Sequence, residues 1–425
     1  LGKNHPILAQ NLHGMAGLYI DQGRFKEAEK FLHHALKLRQ QGLGEAHPLT
    51  AYTLFTLANF YSDFGDYEKA KPFYERALEI RTKVLGLEHS QTAQSMQGLA
   101  NLWVDTGQWD TAAKLYAQVL NVQRRVLGNQ HSDVATTLNN YANLLTQLGD
   151  YKQAQQCYEE SLAIKSAIYG DDHRSTATTL SNLANLLRHT GAYEEAAKQY
   201  QEALCIFESV LGSNHLHTAN VLHGFAGVLH DKGDLASSQD LHERSLNIRQ
   251  GHLGDSHLFT AHSLHGLAAL MHDKGHYDNS RDMLQRSLEI RQKVLGADHP
   301  QTSHSLQGLG SLLHELGDYD GSRALHEQAL AIRKKFFGED HPVTATSLEA
   351  MAHLLHDKGD LDASEEMHQQ ALKIRVDKFG EEHPHTANSL HGLANLHFDR
   401  GDFKASEALH AQALTIREKT LGDSH

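Results

Sequence analysis

The chain has 425 residues, of which 40% are hydrophobic, 21% are charged and six are proline, a composition typical of a folded protein rather than a disordered one. Its formal net charge of −13 argues against nucleic acid or an anionic membrane as a partner, because both need a basic surface. No apolar run approaches about 18 residues and the N-terminus lacks the pattern of a signal peptide, so we expect no membrane association.

The two cysteines, Cys157 and Cys205, predict neither a disulfide framework nor a thiolate metal site, because they fall at different positions of the repeat described below. This usage favours a reducing compartment, and we expect a cytoplasmic protein. The chain begins at Leu1 without a methionine and stops on a repeat boundary. We therefore expect it to be an excerpt from a longer polypeptide.

A short motif of the form LGxxH recurs every 42 residues and divides the chain into repeats. We number positions within a repeat from the first residue of this motif. Ten repeats begin at residues 1, 43, 85, 127, 169, 211, 253, 295, 337 and 379, and a stub covers 421–425. Repetition at a fixed period outweighs a division by length, so we predict one continuous array over residues 1–425.

Each repeat predicts two helices, which we call helix A and helix B. Positions 12, 15, 16 and 19 are apolar or small, as in Leu54, Leu57, Ala58 and Tyr61, and this spacing marks one face of helix A. Positions 25, 28, 35, 36 and 38 give the same pattern for helix B. Glycine at position 23 is expected to end helix A, aspartate after it to cap helix B, and glycine at position 2 to end helix B.

The recurring histidine of LGxxH, from His5 to His425, is expected to cap helix A or to bond nearby backbone, because a residue present in every copy suits a structural role. Small residues at positions 16 and 28 predict close helix contacts. A lone hairpin cannot cover both of its apolar faces, so successive hairpins must stack. We predict an all-α fold: a right-handed superhelical solenoid of ten helix-turn-helix repeats, with about 20 helices.

The pattern of Leu54, Leu57-Ala58, Tyr61, Gly65-Asp66-Tyr67, Ala70, Tyr74 and Ala77-Leu78 resembles the tetratricopeptide repeat. The 42-residue period and the linker sequence "LGEAHPLTA" are similar to the long-repeat subclass of the kinesin light chain and nephrocystin-3 type. The resemblance covers the whole chain. It implies a concave groove, lined by positions 10, 13, 17, 20 and 21 of helix A, in which extended peptides bind.

Asparagine stands at position 17 in repeats two to five, as Asn59, Asn101, Asn143 and Asn185, and returns as Asn395. A row of carboxamides can donate and accept hydrogen bonds to successive peptide groups of an extended ligand. From about residue 210 the composition shifts, and histidine becomes frequent at the groove positions. The predicted groove residues of this later part and its border are Arg188, His223, His230, Asp231, His265, His272, Asp273, His314 and His356.

Acidic residues outnumber basic ones at the groove positions, where Arg188 is the single arginine or lysine. We therefore expect a basic or neutral protein or peptide partner. Kinesin light chains, by resemblance, recruit acidic cargo peptides through basic groove residues, and this chain lacks those residues. The recurring arginines of helix B, such as Arg81 and Arg333, are expected to pair with an acid of a neighbouring repeat.

Metal binding and catalysis have weaker support. Glu349, His353 and His356 have spacings of four and three residues that could place ligands for a divalent ion on one helix face, but 34 histidines produce such spacings by chance. No serine, cysteine or histidine is singular enough to be a nucleophile. We predict no cofactor and no enzymatic activity.

Three hypotheses follow for function. The main one is a non-catalytic interaction scaffold or adaptor that binds an extended peptide or a partner domain in the groove. A second makes the array the ligand-sensing or autoinhibitory segment of a larger signalling protein, and a third makes the histidine-rich half a metal- or pH-responsive module. End-to-end self-association is also expected, because neither terminus has a dedicated polar cap.

Overall fold

A computed structural model describes residues 7–21 and 24–421, which form twenty α-helices. Odd-numbered helices are the predicted A helices and even-numbered helices are the predicted B helices. In chain order they are α1 (Leu8–Asp21), α2 (Phe25–Leu43), α3 (Pro48–Asp63), α4 (Tyr67–Leu85), α5 (Ser90–Asp105), α6 (Trp109–Leu127), α7 (Ser132–Gln147), α8 (Tyr151–Tyr169), α9 (Arg174–His189), α10 (Tyr193–Leu211), α11 (Leu216–Asp231), α12 (Leu235–Leu253), α13 (Leu258–Asp273), α14 (Tyr277–Leu295), α15 (Pro300–Glu315), α16 (Tyr319–Phe337), α17 (Pro342–Asp357), α18 (Leu361–Phe379), α19 (Pro384–Asp399) and α20 (Phe403–Leu421). Among the described helices, none is both long and apolar enough to cross a lipid bilayer.

The chain divides into two compact units, residues 1–144 with 156–170, and residues 145–155 with 171–425. In the first unit α1 to α6 pack as three consecutive hairpins, and in the second unit α9 to α20 pack as six. Seven of the described B helices also pack against the A helix of the next repeat: α2, α4, α10, α12, α14, α16 and α18. This arrangement is typical of a solenoid and confirms the predicted all-α fold of stacked helix pairs. The single continuous array over residues 1–425 stays a prediction.

The turns follow the predicted backbone chemistry. The glycines at position 23 have φ values between 71° and 89°, from Gly65 to Gly401, and those at position 2 have values between 82° and 97°. A side chain with a Cβ rarely adopts this conformation, so glycine ends both helices of a repeat. The carboxylate after the turn caps helix B as expected: Asp318, for example, accepts a hydrogen bond from the Gly321 backbone amide at 3.0 Å. The predicted Gly23 and the stub after Leu421 lie outside the described residues.

The recurring histidine is the N-cap of helix A. Its Nδ1 accepts a hydrogen bond from the backbone amide two residues later at 3.0–3.2 Å, in His47, His89, His131, His173, His215, His257, His299, His341 and His383. This contact satisfies one of the amides that have no partner inside the helix. The structural role predicted from the repetition is confirmed for these nine residues.

Small residues bring the two helices of each hairpin together. Ala58 and its counterparts at position 16 are fully buried, as are Ala70 and the other alanines at position 28. From repeat six onward position 28 is serine, and its hydroxyl donates to the carbonyl at position 16 at 2.8 Å in Ser238, Ser280 and Ser364. In these three repeats the change from alanine to serine therefore adds a hydrogen bond between the helices, whereas the Ser322 hydroxyl of repeat eight has no partner among the described residues.

Among the described residues, the position-39 arginines Arg81 and Arg333 contact neutral groups of the next repeat, and not the acidic partner that the sequence suggested. Arg333, which is 2% exposed, donates to the Ser347 hydroxyl at 2.7 Å and to the Val343 carbonyl at 3.3 Å, both in the next repeat. Arg81 makes the same two kinds of contact. Arg375 has a carboxylate partner, Glu349, but it belongs to the same repeat. These buried guanidinium groups join successive repeats through neutral acceptors, since a hydroxyl and a carbonyl together fix their position.

Candidate ligand-binding groove

The A helices form a shared wall within each unit. Contacts between helices of the same kind in successive repeats are made in the first unit by α3 and α5, and in the second by the row α9, α11, α13, α15, α17 and α19. No such contact joins two B helices among the described residues. The A helices therefore lie closer together than the B helices. We use the name A-helix wall for the solvent-accessible surface that the A helices of one unit form together.

The predicted groove residues lie on this wall. Asn143 and Asn185 at position 17 are exposed, Asn59 and Asn101 are half-buried, and Asn395 is exposed. His272 at position 20 is half-buried, with 27% of its side chain accessible. The wall is consequently open to a ligand at the positions that the sequence pattern selected.

The asparagines of repeats two to five are paired with tyrosines. In each repeat the hydroxyl of the tyrosine at position 32 of helix B donates to the asparagine Oδ1. Tyr74 bonds to Asn59 at 2.6 Å, Tyr158 to Asn143 at 2.5 Å and Tyr200 to Asn185 at 2.7 Å, and Tyr116 bonds to Asn101. The amide oxygen is therefore engaged inside the protein. The amide nitrogen, with its two hydrogen atoms, is the part available to a ligand.

A pocket of about 370 Å³ lies on the wall of the first unit, between α3 and α5. It is lined by Phe55, Asn59, Ser62, Asp63, Tyr74, Gln94, Gln97, Gly98, Asn101 and Asp105. Gly98 lies close to the floor, where a Cβ would be 2.5 Å from the Tyr74 ring. The pocket thus brings together two of the predicted asparagines, two carboxylates and two glutamines.

Asp63 and Asp105 are the carboxylates of this pocket, and neither has an ion-pair partner among the described residues. Surrounding protein atoms remove part of the hydration of the Asp105 carboxyl although its side chain stays accessible to solvent, and this desolvation, followed by the charge of Asp63, raises its pKa to about 6. Desolvation of the same kind raises the pKa of Asp63. A raised pKa means that the ionised carboxylate is disfavoured in this pocket. A cationic group of a ligand would stabilise the ionised carboxylate.

In the second unit, the acidic side chains at position 21 have partners within the protein. At position 20 a basic side chain bonds to the acidic side chain at position 21 of the next repeat, 43 residues later. The pairs are Arg188–Asp231 at 2.5 Å, His230–Asp273 at 2.7 Å, His272–Glu315 at 2.6 Å, His314–Asp357 at 2.8 Å and His356–Asp399 at 2.8 Å. We call this row the acid–base ladder.

The acid–base ladder gives the acidic residues of the later groove positions partners inside the protein, and the expectation of a basic or neutral ligand stays a prediction there. Its carboxylates already accept hydrogen bonds from Arg188 or histidine, and Glu349 is held by Arg375 and Ser389. For His272, burial lowers the pKa, but hydrogen bonds to Asp273 and Glu315 outweigh burial and raise it. The carboxylates left for a cationic ligand, among those with described side chains at the groove positions, are Asp63 and Asp105.

His223 and His265, at position 13, are half-buried between neighbouring A helices. Burial, and then the imidazoles of His262 and His242, hold the pKa of His223 well below its usual range. Burial and then Arg291 lower the pKa of His265 to about 4. Both rings are therefore neutral at physiological pH and present polar but uncharged groups to the groove.

The three residues with metal-like spacing have other partners. Glu349 is bound by Arg375, the ring of His353 packs edge-on against His368 at 5.1 Å, and His356 bonds to Asp399. A group of three or more side chains arranged to hold a metal ion is not found in residues 7–21 and 24–421. Spacing on one helix does not bring these side chains together, because stronger partners on neighbouring helices orient them.

The comparison with protein families identifies the chain. A family model described as "Tetratricopeptide repeat" matches residues 7–83, 56–125, 98–167, 133–209, 175–251, 217–292, 259–335, 307–375 and 343–419. The chain therefore belongs to the tetratricopeptide repeat family. Proteins built from this repeat are in general scaffolds for protein interaction. The comparison with curated proteins found no match.

Several solved structures are similar to the chain. One is a Podosopora anserina protein with nearly identical TPR-like repeats, described as a kinesin light chain, with 23% identity, 48% of this chain and 97% of that chain covered and a TM-score of 0.40. Another is BtubC (BKLC) from P. vanneervenii, with 18% identity, coverage of 55% and 92% and a TM-score of 0.42. A Rap protein complexed with competence and sporulation factor has 11% identity, coverage of 88% and 99% and a TM-score of 0.58, and this likeness concerns the fold alone.

Proposed function

We propose that the chain is a non-catalytic protein-interaction scaffold that binds an extended peptide along the A-helix wall. The observation that carries this proposal is the pocket between α3 and α5, where predicted groove residues from two successive repeats meet. A second pocket of about 460 Å³ lies between α15 and α17 and includes His314, another predicted groove residue. Pockets at equivalent places in the two units suit a ligand that runs across successive repeats.

The asparagines supply contacts to the peptide backbone. Because each Oδ1 accepts the tyrosine hydroxyl, the Nδ2 hydrogens are held in a fixed direction and can donate to a carbonyl of the ligand. A preset orientation lowers the entropy that binding costs. The asparagines therefore act as donors, rather than as the donors and acceptors that the sequence alone suggested.

The carboxylates in the pocket favour a lysine, an arginine or a free amino group of the ligand. Asp63 and Asp105 lie in neighbouring repeats and lack the basic residue at position 20 that repeats five to nine provide. A cationic side chain would form charge-assisted hydrogen bonds with them. The ligand segment that binds this pocket is thus basic.

The test of the scaffold proposal uses an array of random 15-residue peptides and the double variant Asn59→Ala, Asn101→Ala. We expect the wild-type chain to capture a set of peptides, and the variant to bind them about tenfold more weakly, since each lost hydrogen bond contributes about 0.5–1.5 kcal/mol. Asn121→Ala, an exposed asparagine on helix α6, is the matched control. Equal capture by the wild type and the double variant would contradict the proposed role of the asparagines.

End-to-end self-association also stays a prediction. Leu18 of α1 is 50% exposed, and Phe403 of α20 is 62% exposed. Stacking between copies would cover apolar surface of this kind. Light scattering over a concentration range tests it, and a mass that stays constant would contradict it.

A further inference from the structure

The second unit contains three histidines in its core at the position that the earlier repeats give to tyrosine. Position 32 is His242 in repeat six, His326 in repeat eight and His368 in repeat nine, and these side chains are 3%, 1% and 2% exposed. Repeat seven has Leu284 at the same position, 5% exposed. Both a histidine and a leucine therefore fit this place in the fold.

Each of the three buried rings has one nitrogen that makes no hydrogen bond to the described residues. Nδ1 of His242, His326 and His368 is buried and has no hydrogen-bond partner among the described residues. Each ring lies against a glycine, where an added Cβ would be within 3.0 Å of its Cε1: Gly266 beside His242, Gly310 beside His326 and Gly392 beside His368. The surroundings fit a neutral ring closely and provide no acceptor for a second N–H.

Charged and titratable groups near these rings are mostly basic. His242 faces His223, His230, His262, Arg188 and Arg249. His326 faces His314 and Arg333, and it shares a pocket with His353, Glu315, Glu349 and Asp357. His368 faces His353, His356 and Arg375.

The carboxylates near His326 do not offset this repulsion. Glu349 is bound by Arg375, Glu315 by His272 and Asp357 by His314. A proton added to one of the buried rings would therefore lie near at least one arginine and would have no acceptor. Such a charge is stable only if the ring reaches water.

We propose that His242, His326 and His368 form a built-in acid switch, which opens the repeats of the second unit on mild acidification while the first unit stays folded. Proton uptake by these rings requires that helix B separate from the A helices around it. The three histidines belong to one stack of repeats. Separation of the helices around one histidine therefore removes packing contacts from the adjacent repeat.

The direction of the pH effect follows from linkage. Burial, and then the basic groups nearby, lower the pKa of all three histidines to about 4. In an unfolded chain a histidine has a pKa near 6.5. The unfolded state therefore binds more protons below about pH 6.5, and the stability that the neutral rings contribute is full above that pH and is lost as the pH falls towards 4.

Two other groups respond to acid in the opposite direction. The pKa of His272 in the acid–base ladder is raised, so protonation strengthens its pair with Glu315. That pair is partly exposed and is screened by solvent, which limits its contribution. In the first unit, protonation of Asp105 removes a destabilising charge as the pH falls through about 6. The first unit contains one histidine of the same kind, His13, whose pKa is lowered to about 4 by burial and then by Arg39. The three histidines at position 32 give the second unit the larger number of such sites, so acid should open the second unit first.

The experiment is an acid titration of the 425-residue chain from pH 7.5 to 4.0, followed by two signals. Far-ultraviolet circular dichroism reports all the helices, and tryptophan fluorescence reports the first unit, because Trp103 and Trp109 are the two tryptophans of the chain. We expect helix loss to begin at higher pH than the fluorescence change. Simultaneous changes in the two signals would overturn the proposal.

Two variants test whether the histidines at position 32 cause the loss of helix in acid. The triple variant His242→Leu, His326→Leu, His368→Leu is expected to lower the midpoint of helix loss by about 0.5 pH unit, because three proton-binding sites of the unfolded state no longer favour unfolding. The reverse change, Leu284→His, is expected to raise the midpoint. If the triple variant does not fold at pH 7.5, Leu284→His alone decides. The proposal would be overturned if the triple variant or Leu284→His lost its helices at the same pH midpoint as the wild type.

Discussion

Replacing Asp63 and Asp105 by asparagine is expected to abolish most of the affinity for a basic peptide while making the free protein more stable. A charge-assisted hydrogen bond contributes about 1.5–3 kcal/mol, so the loss of two such contacts should weaken binding by at least about a hundredfold. The gain in stability has a separate cause. The raised pKa of Asp105 shows that its charged form is disfavoured in the folded protein, and its removal should add about 1 kcal/mol or less, since the side chain is exposed and solvent screens it.

The matched control is Asp273→Asn, which changes an aspartate at the same position of repeat seven. Asp273 already bonds to His230 and His272, so this change should leave the affinity for the basic peptide nearly constant. Titration calorimetry at pH 7.5 and pH 5.0 measures the affinities, and wild-type binding should weaken at pH 5.0 because Asp105 takes up a proton. An Asp63→Asn, Asp105→Asn variant that binds as tightly as the wild type would exclude the pocket as the cation site.

The second large effect is expected at Arg333. The change Arg333→Leu removes the donor to the buried hydroxyls of Ser303 and Ser347 and to the partly buried Val343 carbonyl. Buried acceptors without a donor cost about 1–3 kcal/mol each, so a loss of about 3 kcal/mol is expected for the stability of the second unit. A fall in the guanidinium chloride midpoint measured by circular dichroism would report it.

Arg323→Ala on the same helix provides the comparison for Arg333. Arg323 is exposed and pairs with Glu327 four residues later, an arrangement that contributes less than about 0.5 kcal/mol. The two arginines are ten residues apart on α16 and differ mainly in burial. Midpoints that fall equally in the two variants would mean that the buried contacts between repeats eight and nine contribute nothing specific.

The fold was predictable because its determinants are local. The glycine at position 23, the aspartate after it and the histidine of LGxxH each act within a few residues of their own helix end, as Gly317, Asp318 and His299 show. Local geometry of this kind depends on the residue types and their spacing alone. Because the sequence repeats every 42 residues, the same residues form the same helix ends in successive repeats.

Contacts between repeats were harder to predict. The pair Arg188–Asp231 and the histidine pairs of the acid–base ladder span 43 residues, and their formation depends on how one A helix is placed beside the next. That placement is set by packing, which the period of the sequence does not specify. The same cause explains why the partner of Arg333 was predicted wrongly as an acid.

One signal in the sequence could have revealed the tyrosine–asparagine pairs. Within this single chain, tyrosine at position 32 occurs with asparagine at position 17 in repeats two to five, and both change in repeat six, to His242 and Gly227. A joint change at two positions of a repeat indicates a contact between them. The same comparison applies to positions 20 and 21 of successive repeats.

Hydrogen exchange measured by mass spectrometry tests most directly whether the A-helix wall binds the ligand. The chain is compared with and without a saturating amount of one 15-residue peptide captured on the array. Binding along the wall predicts slower exchange in the A helices α3 (Pro48–Asp63) and α5 (Ser90–Asp105), with little change in the B helices α4 and α6. Slower exchange confined to the B helices would contradict the account.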